Sequence, residues 1–103
     1  MNTPLTELQQ FFGAYFNQDW AEEYSSADEV IDSFLQDSSR DVIISVKKEI
    51  LELINSYTNE SDFQENLLYE QYCYYYYPNQ WATGILWLSH IINKFENHLS
   101  KNN

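Results

Sequence analysis

Phe11-Phe12-Gly13-Ala14-Tyr15-Phe16-Asn17-Gln18-Asp19-Trp20-Ala21-Glu22-Glu23-Tyr24 carries the strongest structural instruction in the chain. With the residues just before it, Leu5, Leu8, Phe12, Tyr15 and Phe16 recur at helical spacing and fall near one face. The polar run Asn17-Gln18-Asp19 then breaks the pattern. Asp19 is expected to accept hydrogen bonds from nearby backbone N–H groups while Trp20 covers the helix end. The segment reads as a first helix and the corner after it, with its large rings bound for the core. Gly13 inside that helix costs about 1 kcal/mol relative to alanine, and a second helix packed closely on that side would explain it.

Working outward, Thr3 before Pro4 reads as an N-cap followed by proline at the first helical position, where the missing N–H is harmless. After the corner, Ser26 with Glu29 three residues on fits a capping box, and Asp28 and Glu29 suit the positive end of a helix. Val30, Ile31, Phe34 and Leu35 give that helix a buried face. Ser39 can cap the next helix, from Arg40 to about Tyr57, where Ile43, Val46, Ile50, Leu53, Ile54 and Tyr57 recur at threes and fours. Lys47, Lys48, Glu49 and Glu52 are left outside. A fourth helix follows from about Asp62 to Tyr72, with Phe63 and Leu67 buried. Thr83 can cap the last one, from about Gly84 to Leu99, whose core stripe is Leu88, Ile91, Ile92, Phe95 and Leu99 with Trp87 beside it.

Composition agrees with that count. The 103 residues are 44% hydrophobic, with Tyr 9, Phe 6 and Trp 3, which supplies one core. Gly 2 and Pro 2 are too few for a many-turned β-sandwich or barrel. The expectation is a single compact all-α domain of about five helices over residues 1–103. Sixteen acidic and five basic residues leave a net charge of −11, which argues against direct nucleic-acid binding and against anionic membrane surfaces. A basic protein partner is the natural complement, although acidity also serves solubility alone. Cys73 is the single cysteine, so no intramolecular disulfide can form. The first residues show no signal peptide and no run approaches a membrane span, making the cytoplasm the default location.

The run from Phe12 to Trp20, followed by the acidic helix start at Ser26 to Glu29 and by the Trp87-Leu88 pair near the other end, resembles the small immunity proteins of bacterial contact-dependent growth inhibition systems. The resemblance is specific around Tyr15 to Trp20. It implies an all-helical protein that binds a cognate toxin domain, often a nuclease, and blocks it.

The residues themselves name no catalyst. His90 and His98 lie eight apart on one helix, roughly 12 Å by helix rise, too far to share a metal ion, and no HExxH spacing occurs. Cys73 has no signature around it and reads as a small buried thiol. There is no calcium loop, phosphate cradle or G-x-S-x-G elbow. The chain is therefore read as a non-enzyme without a cofactor or metal. Tyr74 to Ala82, around Pro78, reads as a loop in which four consecutive tyrosines cannot all point inward. Exposed tyrosines supply rigid contact area and a hydroxyl, as interfaces favour.

Glu22, Glu23, Asp28, Tyr75 and Tyr77 are accordingly the candidate toxin contacts, with Asp19 and Trp20 assigned to the fold. Carboxylates standing where a nuclease expects phosphates would occlude its basic active site, in a one-to-one complex formed by a free monomer. The second reading of the same residues is a small acidic helical adaptor or structural module with no toxin partner. A third is an acidic nucleic-acid mimic.

Overall fold

Thr6, not Thr3, starts the first helix. In a computed structural model that describes residues 5–101, its hydroxyl accepts from the Gln9 N–H while the Gln9 side chain accepts from the Thr6 N–H, each at 3.0 Å. Thr3 and Pro4 lie outside the described residues. Helix α1 then spans Glu7–Tyr15. Leu5 precedes the cap and stays exposed, whereas Phe11, absent from the expected stripe, is buried with Leu8, Phe12 and Phe16. At helical spacing Phe11 shares the arc of its neighbours three and four residues away: the inward arc of α1 is Leu8, Phe11, Phe12 and, half-buried, Tyr15.

A one-turn helix, α2 (Trp20–Glu23), follows the corner, then α3 (Ala27–Asp37), α4 (Arg40–Ser56) and α5 (Glu60–Glu65). Chain α5 runs on into a π-helical turn, Asn66–Glu70. An extended stretch and a 3₁₀ turn at Tyr77–Asn79 lead to α6 (Gly84–Lys101). No strand occurs among the described residues, so the all-α expectation holds, with the short α2 added to the five helices foreseen. Caps account for most of the starts. Ser26, Ser39 and Asn59 accept from N–H groups at Glu29, Val42, and Ser61 with Asp62. The Glu29 side chain reaches back to the Ser25 N–H, one residue short of a full capping box at Ser26.

Helix α1 packs on α3 and α4, and α6 packs on α3, α4 and α5. Between them lies an aromatic interior: Phe34 stacks on Phe95 at 5.6 Å, Phe11 approaches both, and Trp87 meets Phe12 and Phe16. The radius of gyration, 13.2 Å, is that of one tightly packed domain of this length. Glu49, expected outside, instead accepts from the Leu8 N–H at 2.9 Å and ties α4 to the first turn of α1.

The two glycines have opposite meanings. Gly13 has no helix against it; a Cβ there would meet only the Tyr72 Cβ, at an ordinary 3.8 Å. Gly84, the first residue of α6, is buried where a Cβ would stand 2.6 Å from Phe63 Cδ1 and 3.2 Å from Tyr77 Cζ. Phe63 is itself pinned edge-on to Tyr57. Gly84→Ala should therefore destabilise the protein by about 1–3 kcal/mol in urea unfolding; an unchanged midpoint would mean the α5–α6 contact is looser than described.

Candidate functional site

The corner between α1 and α2 is held by Asn17. Its Oδ1 accepts from the Asp19 N–H at 2.9 Å and its Nδ2 donates to the Ala14 carbonyl at 2.9 Å. Asp19 itself makes no side-chain cap, correcting the role expected for it. Trp20 lands half-buried, edge-on to Phe16 at 5.9 Å and to Tyr75 at 5.4 Å. Glu22 and Glu23, one turn further, are exposed and form no ion pair among the described residues.

Asp28 opens α3 next to them and is also exposed. Both of its carboxylate oxygens approach His90 Nε2, at 2.9 and 3.2 Å. His90 in turn lies against the Trp81 ring, with centroids 5.1 Å apart. Acidic corner and aromatic loop thus meet through two bridges, Trp20 to Tyr75 and Asp28 through His90 to Trp81.

Tyr75 and Tyr77 do not stand on the surface. From Tyr72 to Tyr77 burial alternates strictly: Tyr72, Tyr74 and Tyr76 are exposed, while Cys73, Tyr75 and Tyr77 are buried. Between the left-handed Tyr72 and the 3₁₀ turn, residues 73–76 form no helical turn, and successive side chains point to opposite sides as in a strand. Its register is fixed where the Tyr74 N–H donates to the Phe16 carbonyl at 2.9 Å. Tyr77 stacks on Trp87 at 6.0 Å and Tyr75 packs on the same ring at 4.8 Å. Each phenol finds a partner: Tyr75 donates to Gln80 Oε1 at 2.6 Å, and Tyr77 to Glu60 Oε2 at 2.5 Å. The same Glu60 carboxylate accepts the Gly84 N–H at the start of α6, at 3.1 and 3.2 Å. Burial, with Glu60 alongside, holds the Tyr77 phenol well above its ordinary range.

Tyr75 and Tyr77 are therefore withdrawn as contacts, because π-stacking and buried hydrogen bonds claim both rings. The phenols left outside are Tyr69, Tyr72, Tyr74 and Tyr76.

No group of three His, Cys, Asp or Glu side chains among the described residues could hold a metal ion. No described helix is long and apolar enough to cross a membrane. Among the described residues the carboxylates of Glu22, Glu23 and Asp28 and the phenols of Tyr69, Tyr72, Tyr74 and Tyr76 are exposed, while Tyr75 and Tyr77 are buried.

A family model described as CdiI immunity protein matches residues 4–95. The chain belongs to the CdiI immunity protein family. A comparison with curated proteins gives no match. Among solved structures, it is similar to a chain of the crystal structure of a CdiA-CT/CdiI complex from Y. kristensenii 33638. The two are 30% identical, with a TM-score of 0.84, over 87% of this chain and 91% of that one. The family resemblance seen around Tyr15 to Trp20 thus extends over most of the immunity protein, and its all-helical implication agrees with the fold.

Within this immunity protein Cys73 is structural. It is buried, its Sγ donates weakly to the Tyr75 carbonyl at 3.6 Å, and burial pushes the thiol up to about 12. The folded thiol is harder to ionise than the unfolded one, so its contribution to stability is whole below about pH 9 and lost as the pH rises towards 12. A thiol–disulfide reagent at pH 8 should leave the native protein unmodified and label Cys73 at once in denaturant; rapid labelling of the native state would show that the extended stretch opens readily.

Proposed function

We propose that this immunity protein neutralises a cognate contact-dependent growth inhibition toxin, a basic nuclease domain, by binding it one-to-one and occluding its active site. It works in the cytoplasm, is a monomer when free, needs no cofactor and performs no reaction. The observation that carries this reading is the CdiI match over residues 4–95. The related structure being a CdiA-CT/CdiI complex supports a toxin C-terminal domain as the partner.

Electrostatics supports the choice of a basic target. Net charge is −11, and no Lys or Arg occurs before Arg40 or between Lys48 and Lys94. The cations present are largely engaged elsewhere: Lys47 with Glu96 at 3.7 Å, Lys94 with Asp32 at 2.9 Å, and Arg40 on the Leu99 carbonyl at 3.1 Å. The corner of Glu22 and Glu23, with Asp28 beside it, is left as a negative field that steers a positive partner inward. Carboxylates offered where a nuclease holds phosphates would compete directly with its substrate.

The test is protection. Expressed beside the C-terminal toxin fragment encoded immediately upstream of its gene, the wild-type chain should rescue growth and bind that fragment. Glu22→Lys with Glu23→Lys should slow association roughly tenfold or more at low salt, with the difference shrinking as salt is raised. Failure of the wild-type chain to protect or bind would overturn the reading in favour of an adaptor role.

A further inference from the structure

Two features of the exposed surface work against the fold's own stability, and they stand face to face. Gly13 lies in the last turn of α1, two residues before Tyr15 ends it, where glycine is a poorer helix former than alanine, yet nothing there requires its absent side chain: a Cβ would be 3.8 Å from Tyr72 Cβ. Tyr72 adopts φ 63°, among the described residues the sole non-glycine in the left-handed region, where glycine or asparagine sits with less strain. The residue is 45% exposed, so its ring is not locked into the core.

Between them runs a shallow, mostly apolar groove. Leu5, just before the cap, with Gln9, Gln10, Gly13 and Ala14 of α1 forms one wall, and Tyr72 and Tyr74 the other. Leu5 is 49% exposed and Tyr74 61%. Behind Tyr72 the aromatic surface continues over Tyr69 and Tyr76, 76% and 49% exposed. No Lys or Arg lines either hollow. A second copy of a chain carrying −11 would be repelled. A cationic segment would be drawn in, its Lys or Arg stems lying on apolar walls and its charges over tyrosine faces. At one end the groove runs to Ala14, whose carbonyl accepts from Asn17 at the start of the turn that leads along the chain to Glu22 and Glu23.

We propose that the groove between Gly13 and Tyr72 is the apolar anchor of the toxin interface and takes a basic, extended segment of the toxin domain. This rests on the neutralisation reading above and deepens it. Glu22 and Glu23 govern how fast the partner arrives, whereas the groove governs how long it stays. Gly13 keeps the floor open, and the strained Tyr72 backbone holds its ring at the rim.

The prediction inverts the usual link between stability and function. Gly13→Gln supplies a better helix former and should raise the melting temperature, yet fill the groove. Tyr72→Gly should remove strain and melt no lower than wild type. Each should weaken binding to the purified upstream toxin fragment about tenfold or more, mainly through faster dissociation. Gly13→Lys should bind more weakly than Gly13→Glu, the two side chains being comparable in reach and opposite in charge. If the wild-type chain binds the fragment and both Gly13→Gln and Tyr72→Gly bind as tightly, the groove is not the anchor, while the neutralisation reading stands. Equal loss from Gly13→Lys and Gly13→Glu would overturn the basic occupant. If the wild-type chain itself does not bind, both readings fall together.

Discussion

The buried indole of Trp87 is the fixed point of this molecule. Phe12 and Phe16 of α1, and Tyr75 and Tyr77 of the extended stretch, all pack against it. Because an extended chain alternates sides, committing Tyr75 and Tyr77 to that ring leaves Tyr74 and Tyr76 with one direction, outward. The Tyr74 N–H on the Phe16 carbonyl locks this parity, since a slip of one residue would exchange every buried ring for an exposed one. Packing in the core thus decides which phenols the surface presents.

Glu60 joins the core to the ends of the helices. Its carboxylate accepts from the Tyr77 hydroxyl and from the Gly84 N–H, so the 3₁₀ turn and the start of α6 are pinned by one side chain of α5. Partly buried carboxylates are costly when unpaired, and here both donors are supplied by backbone and phenol. Glu49 does the same for the first turn of α1. Two acidic residues therefore act inside the fold, while those at the corner stay on the surface. A strongly negative chain need not be negative for a single reason.

Where local rules sufficed, the sequence could be read directly. Ser39 as a cap, the Ile43–Val46–Ile50–Leu53 face of α4 and the Leu88–Ile91–Ile92–Phe95 face of α6 all follow from periodicity and capping alone. Thr6 as the cap and Phe11 in the core are both within reach of local rules, since Gln9 three residues after Thr6 completes a capping box and Phe11 lies on the arc of Leu8 and Phe12. The π turn, where Gln71 donates to the Asn66 carbonyl, has no pattern that marks it out from an α-helix. The tyrosine parity failed for a different reason: it depends on Trp87 and Phe16, which are remote in sequence from the tyrosines they orient. The exposure of Glu22, Glu23 and Asp28 follows from the rule that charge stays wet, whereas the burial of Tyr75 and Tyr77 needed tertiary structure.

That presentation of one surface by one core can be examined in a single measurement: amide hydrogen exchange of the immunity protein, free and saturated with the toxin fragment encoded upstream. Added protection should appear in two stretches, from the α1–α2 corner into the start of α3 and from Leu68 to Tyr76. The segments of α4 and α6 around Lys47, Lys48 and Lys94 should be unchanged. Protection centred on those lysines, with the tyrosine stretch unaffected, would contradict the account.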